Sequence, residues 1–366
     1  MNNSKQFFPR RKTRQVKAGN LVIGGDAPIS IQGMVKAKAH DPGAILDQIE
    51  HMVKEGCELV RLAIPDLKAA RLIGKIRDKS PVPLCADIHF DHRLALESLE
   101  AGIDKLRLNP GNLRDEDAVR EVARAALEKS VPIRVGANAG SLAPAIIKKY
   151  GGITSEGLVE SALGQVKLLE KEDFHDIVIS LKAFEIPLTL NAYRLLSDQV
   201  DYPFHIGITE AGPGDRGLVR SVAGIALLLG EGLGDTIRMS LTAPPEDEIR
   251  AVRLMLESMG LRPANLTLIS CPTCGRCEYP VMELASRVEE KLKNIPIPLK
   301  VAVMGCPVNG PGEARYADIG IAGGAGKGIF FREGKIEKKV DIDDLLPVLL
   351  EEVEKLIEKR RNDSCE

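Results

Sequence analysis

Short apolar runs alternate with amphipathic helical patterns between residues 30 and 260, and this alternation limits the fold more than any other feature of the chain. Alternating strands and helices pack as a parallel sheet, and eight such units in about 250 residues are typical of a (β/α)8 barrel. The sequence therefore predicts an α/β fold that begins with a TIM barrel. The eight predicted strands span residues 30–35, 59–64, 83–88, 105–109, 132–136, 177–182, 204–210 and 236–241.

The pattern changes after Gly260, where shorter strands and two helices predict a smaller α+β module. We place the domain boundary near Arg262-Pro263, so the predicted domains are residues 1–262 and 263–366. The glycine-rich run 323–328 lies between two predicted strands, lacks a Ser or Thr after its lysine and has no helix behind it. It is therefore interpreted as a hairpin turn and not as a phosphate-binding loop.

Composition and charge exclude several classes of partner. The formal net charge is −2, so no overall field favours nucleic acid or a membrane surface, and no apolar run is long enough to span a bilayer. Seven cysteines without an apolar signal segment favour the reducing cytoplasm over a disulfide framework. A basic run near the N-terminus is interpreted as a solvated arm. Its residues are Lys5, Arg10, Arg11, Lys12, Arg14 and Lys17.

Polar and charged side chains stand at the end of nearly every predicted barrel strand, although buried parallel strands are normally apolar. In barrels of this kind the C-terminal strand ends form the active-site mouth. Five basic side chains that converge there repel one another unless an anion is bound, and arginine matches phosphate oxygens. The sequence thus predicts a substrate with more than one phosphate. The strand-end residues are Gln32, Arg61, Asp87, His89, Arg107, Asn109, Arg134, Asn138, Lys182, Thr209, Glu210, Arg238 and Ser240.

Each of these residues also has a structural interpretation. A single arginine at a strand end is as often a salt-bridge partner as a ligand group. Asp87 and His89 are either acid–base groups or a satisfied polar pair, and the sequence leaves both open. Glu210 is the candidate acid for proton transfer, with a salt bridge as its alternative.

Four of the seven cysteines lie in two clusters of the C-terminal module, Cys271-Pro-Thr-Cys274-Gly-Arg-Cys277 and Gly-Cys306-Pro. Thiolates at this spacing suit an iron–sulfur cluster and also a structural zinc. The two Cys-Pro pairs and the glycine-rich setting of residues 303–312 favour iron–sulfur. Cys57 and Cys85 fall at or near predicted strands and are expected to be buried small hydrophobes, whereas Cys365 is given no role.

Several motifs, taken together and in order, resemble the bacterial 4-hydroxy-3-methylbut-2-en-1-yl diphosphate synthases of the non-mevalonate isoprenoid pathway, over essentially the full length. The motifs are Ala-Asp-Ile-His-Phe at 86–90, Leu-Arg-Leu-Asn-Pro-Gly-Asn at 106–112, Ile-Arg-Val-Gly-Ala-Asn at 133–138, Gly-Ile-Thr-Glu-Ala-Gly at 207–212, Gly-Asp-Thr-Ile-Arg-Met-Ser at 234–240, Ser-Cys-Pro-Thr-Cys at 270–274 and Gly-Cys-Pro-Val-Asn-Gly-Pro-Gly-Glu-Ala at 305–314.

The resemblance implies the reductive ring opening of 2-C-methyl-D-erythritol 2,4-cyclodiphosphate with electrons from a [4Fe-4S] cluster. It implies as cluster ligands Cys271, Cys274, Cys306 and Glu313. Spacing alone would make Cys277 the fourth ligand; we favour Glu313 and expect Cys277 to point away from the cluster.

The resemblance also implies roles at the barrel mouth. Arg61, Arg134, Lys182, Arg238 and Ser240 would hold the diphosphate with help from Asn138. Glu210 would donate a proton, with Asp87, His89, Arg107 and Asn109 close to the substrate. The implied partners are flavodoxin or ferredoxin as electron donor and a second copy of the chain in a head-to-tail homodimer, with the cluster of one subunit over the barrel of the other.

The sequence leaves two other functions possible. The first is a non-redox phosphosugar aldolase or isomerase with a structural zinc, in which Lys182 forms a Schiff base. The second is an electron carrier without catalysis of its own; the polar strand ends argue against it, because a carrier needs no pocket for a polyanion.

Overall fold

The computed structural model describes residues 8–277, 279–307, 310–324 and 326–363 of the chain. The described residues form two compact units; the first ends at Met259 and the second begins at Gly260. Lys5 and Cys365, named in the sequence analysis, lie outside the described residues. No helix in the described ranges is long and apolar enough to cross a membrane.

Eight parallel strands form the barrel of the first unit and confirm the predicted fold class. An isolated parallel bridge between Ile179 and Phe204 brings the first and last strands of the hydrogen-bonded order together and closes the sheet. An N-terminal hairpin of β1 (Val16–Ala18) and β2 (Leu21–Ile23) precedes them. The barrel strands are β3 (Ser30–Met34), β4 (Leu59–Ile64), β5 (Leu84–Ile88), β6 (Lys105–Leu108), β7 (Ile133–Asn138), β8 (Ile177–Lys182), β9 (His205–Ile206) and β10 (Thr236–Ile237).

Helices follow the barrel strands and cover the sheet with their apolar faces. Acidic or hydroxyl side chains cap several of them; the Asp115 carboxylate, for example, accepts backbone N–H groups at the start of α4, and Val119 and Val122 of that helix are buried. Prolines stand in the first turn of four helices, where no N–H is missed. The helices are α1 (Pro42–Lys54), α2 (Leu67–Arg77), α3 (His92–Glu100), α4 (Glu116–Glu128), α5 (Pro144–Tyr150), α6 (Ser155–Glu170), α7 (Ile186–Ser197), α8 (Gly214–Gly230) and α9 (Pro245–Ser258).

The basic N-terminal segment is not a solvated arm, so that prediction is wrong for most of it. Arg10 forms an ion pair of 2.7 Å with Asp235, and the Arg11 guanidinium stacks 3.9 Å from the centre of the Phe204 ring. Arg14 pairs with Asp201 at 2.5 Å. Guanidinium groups can stack on aromatic rings while their N–H groups reach carboxylates, which lets a basic segment pack against a folded surface.

The hairpin that follows this segment closes one end of the barrel. Val16, Ala18 and Ile23 are buried and form a cluster with Leu59, Cys85 and Val178 of the barrel strands. These barrel residues lie early in their strands. The hairpin therefore seals the N-terminal end of the barrel, and the strand ends with polar residues are at the other end.

The second unit is an α+β module, as predicted. Its five strands are hydrogen-bonded in chain order, with the first three parallel and the others antiparallel. Gly323, the last residue of β13 (Ile319–Gly323), pairs with Gly328 of the antiparallel β14 (Lys327–Arg332), so the glycine-rich run connects two hairpin strands as predicted. Ala325 lies outside the described residues. The strands are β11 (Leu266–Ser270), β12 (Leu299–Met304), β13 (Ile319–Gly323), β14 (Lys327–Arg332) and β15 (Lys335–Asp341); the helices are α10 (Val281–Leu292), α11 (Gly310–Glu313) and α12 (Leu345–Asp363).

Strand β15 was not predicted from the sequence. Of its seven residues only Val340 is buried, and the strand pairs on one side, with β14. Charged residues are common on such edge strands because they prevent pairing with other chains. The apolar alternation that reveals a strand is therefore missing from this segment.

Candidate active site

A cavity of about 230 Å³ opens at the C-terminal ends of the barrel strands. Residues two apart on a strand face the same side, so the inward positions of each strand stack toward this end. Every catalytic or substrate-binding residue predicted from the sequence lines the cavity, except Asn109 and Glu210. The lining residues are Arg61, Asp87, His89, Arg107, Arg134, Gly136, Asn138, Ser180, Lys182, Thr209, Arg238 and Ser240.

Asp87 lies between two guanidinium groups. Its carboxylate is 3.0 Å from Nη1 of Arg107 and 3.7 Å from Nε of Arg61. Burial alone would raise the pKa of Asp87, but Arg61, His89 and Arg107 outweigh it and hold this pKa well below its usual value. Asp87 is therefore a carboxylate that orients arginines, which favours the polar-pair interpretation over an acid–base role.

His89 is held from both ring nitrogens. Its Nε2 lies 3.3 Å from the Asp87 carboxylate, and its Nδ1 lies 2.7 Å from Nδ2 of Asn112. An Asn112 amide that donates to Nδ1 assigns the imidazole proton to Nε2, which faces the Asp87 carboxylate and also lies 3.3 Å from Nη1 of Arg107. Asn112 is not among the site residues predicted from the sequence, although it is the last residue of the motif at 106–112.

Positive charge dominates the cavity. Among the described lining residues, four carry a guanidinium group, one an amino group and one a carboxylate. Burial, together with repulsion from neighbouring cations, lowers the pKa of Arg134 to about 9 and that of Arg238 to about 10, and lowers the pKa of Lys182 well below its usual value. A ligand with several negative charges would relieve this repulsion, so the cavity is suited to a polyanion.

Gly207 allows the amino group of Lys182 to enter the barrel. A Cβ at this position would stand 2.2 Å from the carbonyl oxygen of Arg238 and 3.1 Å from Nζ of Lys182. Any side chain here would therefore displace either the neighbouring backbone or the amino group. This glycine opens the motif at 207–212.

Glu210 and Asn109 lie outside the cavity lining. Glu210 is exposed beyond the end of β9, with a φ of +55°, and Phe90, after β5, has a φ of +62°. Left-handed conformations of non-glycine residues store strain that is often found at functional loops. Asn109 is buried; its amide donates to Ser141 at 3.1 Å and accepts from the Gly111 N–H at 3.0 Å, so it fixes the loop after β6.

In the second unit, two neighbouring parallel strands lead into the two cysteine clusters. Ser270, the last residue of β11, is paired in register with Val303 of β12. A Cβ on Gly305 would stand 3.1 Å from Sγ of Cys277 and 3.4 Å from Sγ of Cys271. Both sulfurs therefore approach the space that glycine leaves open next to Cys306.

The structure corrects the expected orientation of Cys277, whereas Cys274 and Glu313 stay predicted cluster ligands. Cys277 does not point away from the cysteine site, because its sulfur approaches the same space as that of Cys271. Cys274 and Glu313 are exposed. Within the described ranges, no group of three His, Cys, Asp or Glu side chains is arranged to hold a single metal ion. Cys57 and Cys85 are buried, as expected.

Comparison with known proteins gives full-length matches. The GcpE TIM-barrel domain matches residues 13–253, and the GcpE protein C-terminal domain matches residues 267–355. The chain is 52% identical over 351 residues to a 4-hydroxy-3-methylbut-2-en-1-yl diphosphate synthase (flavodoxin) of Geobacter sulfurreducens, covering 96% of this chain and 99% of the relative. It is also 52% identical over 350 residues to the synthase of the same name from Caldanaerobacter subterraneus subsp. tengcongensis, with the same coverage.

A dihydropteroate synthase from Xanthomonas albilineans matches 68% of this chain and 98% of its own, at 12% identity and a TM-score of 0.49. In contrast, the two domain matches together cover most of the chain, and the identity to the two synthases is 52% over 96% of it. They show that the chain belongs to the GcpE family of 4-hydroxy-3-methylbut-2-en-1-yl diphosphate synthases.

Proposed function

We propose that this protein opens the ring of 2-C-methyl-D-erythritol 2,4-cyclodiphosphate reductively and forms (E)-4-hydroxy-3-methylbut-2-enyl diphosphate. Two electrons and two protons enter, a C–O bond to phosphate breaks, and one water leaves. The observation that carries the proposal is the cavity lined by four arginines, one lysine and one carboxylate. A substrate with two phosphates compensates this charge, and family membership supports the choice of substrate.

The phosphate oxygens are held by side chains of β4, β7 and β8 and of the segment that follows β10: Arg61, Arg134, Asn138, Lys182, Arg238 and Ser240. Asp87 keeps Arg61 and Arg107 oriented through its ion pairs. The carboxyl group of Glu210 donates a proton to the oxygen that leaves as water. Its exposed position at the mouth allows it to exchange protons with solvent.

We assign a [4Fe-4S] cluster to the second domain, with Cys271, Cys274, Cys306 and Glu313 as ligands. The chain fits such a group because β11 and β12 end side by side at the two cysteine clusters and glycine leaves space between the sulfurs. When bound, the cluster supplies the electrons for the ring opening. The two sites would lie on separate domains, residues 1–262 and 263–366.

The fourth ligand is tested by a pair of variants. We expect Glu313→Ala to change the spectrum of the reconstituted cluster and Cys277→Ala to leave it intact. The opposite result would assign the fourth position to Cys277, whose sulfur lies beside that of Cys271.

The remaining features of the proposal concern partners and location. We propose flavodoxin as the electron donor, since the relatives' names include it, with ferredoxin as the alternative, and a head-to-tail homodimer as the working assembly. Five cysteines are free thiols, namely Cys57, Cys85, Cys271, Cys274 and Cys277, which fits a reducing cytoplasm.

The competing function is a phosphosugar aldolase or isomerase with structural zinc, which the lowered pKa of Lys182 would also suit. Metal analysis and borohydride trapping of anaerobically prepared full-length protein separate the two. We expect about four iron and four sulfide per chain and no reduced adduct at Lys182. Zinc in place of iron, together with a trapped lysine adduct, would replace our proposal with this one.

A further inference from the structure

A buried histidine that the proposed reaction leaves unused lies beside Lys182. The bridge between Ile179 and Phe204 places His205 of β9 opposite Ser180 of β8, so His205 lies one inward layer below Lys182. Its Nε2 is 3.2 Å from Nζ of Lys182. His205 is fully buried, and its Nδ1 has no hydrogen-bond partner within the described part of the chain.

The backbone of His205 is fixed independently of its ring. The hydroxyl of Tyr193 on α7 donates to the carbonyl oxygen of His205 at 2.7 Å and accepts from the N–H of Leu181 at 3.0 Å. Tyr193 is itself fully buried. The two hydrogen bonds of Tyr193 connect β8 and β9, and they give the imidazole a defined position beneath the amino group of Lys182.

The charged groups around this pair are almost all positive. The pKa of Lys182 is lowered by the charges of four arginines: Arg61, Arg107, Arg134 and Arg238. The charge of Lys105 also lowers the pKa of His205.

The two nearby carboxylates form ion pairs with other residues. Asp87 pairs with Arg61 and Arg107, while Glu248 lies 3.0 Å from Lys36 and 4.0 Å from Arg238. No carboxylate in the described ranges forms an ion pair with Lys182.

Charge and hydrogen-bond chemistry then limit what the pair can do. An ammonium group only donates, so a charged Lys182 requires an unprotonated Nε2 on His205 and leaves the ring proton on Nδ1. Two positive charges at 3.2 Å in this cationic interior are strongly disfavoured. Burial, followed by the repulsion of neighbouring cations, lowers the pKa of both groups well below their usual values. Without an anion, the pair therefore tends to be uncharged.

We propose that His205 is a positioning residue for Lys182: the neutral imidazole accepts one N–H of the ammonium through Nε2 and directs the other two toward phosphate oxygens, and Lys182 takes up a proton from solvent when the anion binds. The N–H bond that forms on Lys182 is balanced by the bond that the solvent or buffer acid loses with its proton, and no other covalent bond changes. The inference rests on the proposed function, because it requires a phosphate group next to Lys182.

Calorimetric titration of the full-length protein with inorganic pyrophosphate tests the inference. Titration in two buffers of different ionisation enthalpy near pH 8 measures proton uptake, which we expect to approach one proton per site for the unmodified protein. Because binding takes up a proton, pyrophosphate affinity should fall as the pH rises. Equal enthalpies in the two buffers would overturn the proton-uptake part of the proposal.

Variants at position 205 test the positioning part. His205→Leu and His205→Asn remove the acceptor beneath Lys182, and we expect each to weaken pyrophosphate binding about 10- to 100-fold. His205→Gln keeps an acceptor at similar reach and should bind within a few-fold of the unmodified protein. In turnover, loss of the acceptor should raise KM far more than it lowers kcat. The matched control is His175→Gln, at a histidine whose side chain is 51% exposed and lies outside the cavity.

The outcomes separate this inference from the proposed function. If Lys182→Met binds pyrophosphate as tightly as the unmodified protein, the anion site itself is wrong. If Lys182→Met weakens binding but His205→Asn and His205→Leu do not, only the role of His205 is refuted. Should His205→Leu fail to fold, the comparison of Asn with Gln, two polar amides of different reach, gives the same decision.

Discussion

The barrel mouth and the cysteine loops are built in different ways. At the mouth, four of the basic groups stand on strands and are buried, and Asp87 and His205 lie within hydrogen-bonding distance of Arg107 and Lys182 respectively. In the second unit, Cys271 and Cys277 approach one space, while Cys274 and Glu313 are exposed. Strand register thus assembles the proposed anion site before a ligand arrives, whereas the proposed ligands on loops would depend on the bound group to bring them together.

The largest effect that this comparison predicts is at the cysteines. We expect Cys271→Ser or Cys306→Ser to abolish iron binding and to lower turnover by more than about 100-fold, because even loss of a supporting residue typically weakens a metal site 10- to 100-fold. Iron and sulfide content of the anaerobic protein measures it. Cys57→Ala is the control, since Cys57 is buried in the barrel. Full iron content in the Cys306 variant would show that the loops are not the ligand site.

The next largest predicted effect is a loss of stability when the ion pairs of Asp87 at the barrel mouth are broken. Asp87→Asn leaves two buried guanidinium groups without their carboxylate, so we expect the free energy of unfolding to fall by about 3 kcal/mol at pH 7. Denaturant unfolding measures it.

The pH dependence of this difference has a defined sign. The folded-state pKa of Asp87 lies well below its usual value, so the stabilisation is present above that usual value and is lost as the pH falls toward the folded-state pKa. Asp173→Asn is the control, because Asp173 is 94% exposed. An Asp87 variant as stable as the control would mean that the mouth is not preorganised by these pairs.

The smallest predicted effect is an increase in the free energy of unfolding, on replacement of Lys105. Lys105 is fully buried on β6 outside the cavity lining, and its amino group has no hydrogen-bond partner within the described residues. Burial lowers its pKa from 10.5 to about 7. Lys105→Met removes this unfavourable burial and should raise the free energy of unfolding by about 2 kcal/mol at pH 7.

This gain should shrink with pH. Between pH 7 and 10.5 the unfolded state binds more protons at Lys105 than the folded state, so the unmodified protein becomes more stable as the pH rises and the advantage of methionine disappears. Lys75→Met, at an exposed lysine of α2, should change stability by less than about 0.5 kcal/mol. A destabilised Lys105 variant would indicate that this lysine has a structural partner.

Much of the mouth could be predicted because strand ends are periodic and local. Alternation placed Arg61, Asp87, Arg134 and Lys182 on inward positions, and the barrel geometry then brought them together. His205 was missed because it lies inside an apolar run, and the sequence does not show that its ring contacts Lys182 of a neighbouring strand. Asn112 was missed for a similar reason, since its partner His89 is 23 residues away.

Other differences have local physical causes. The predicted strand at 204–210 ends at Ile206, and the chain beyond it includes the left-handed Glu210, a conformation that hydrophobic periodicity does not reveal. The N-terminal segment was misjudged because a run of basic residues carries no sign of the carboxylates and rings that it will meet. Cys277 was misjudged because the path of a loop is not fixed by cysteine spacing.

Turnover is the most direct test of the central claim that a phosphate-binding barrel and an iron–sulfur module form one reductive enzyme. Full-length protein, reconstituted anaerobically with iron and sulfide, is supplied with reduced flavodoxin and 2-C-methyl-D-erythritol 2,4-cyclodiphosphate. The account predicts that ³¹P NMR will show the cyclic substrate replaced by (E)-4-hydroxy-3-methylbut-2-enyl diphosphate, with no product without reductant. Unchanged substrate in the presence of an intact cluster and reductant would contradict it.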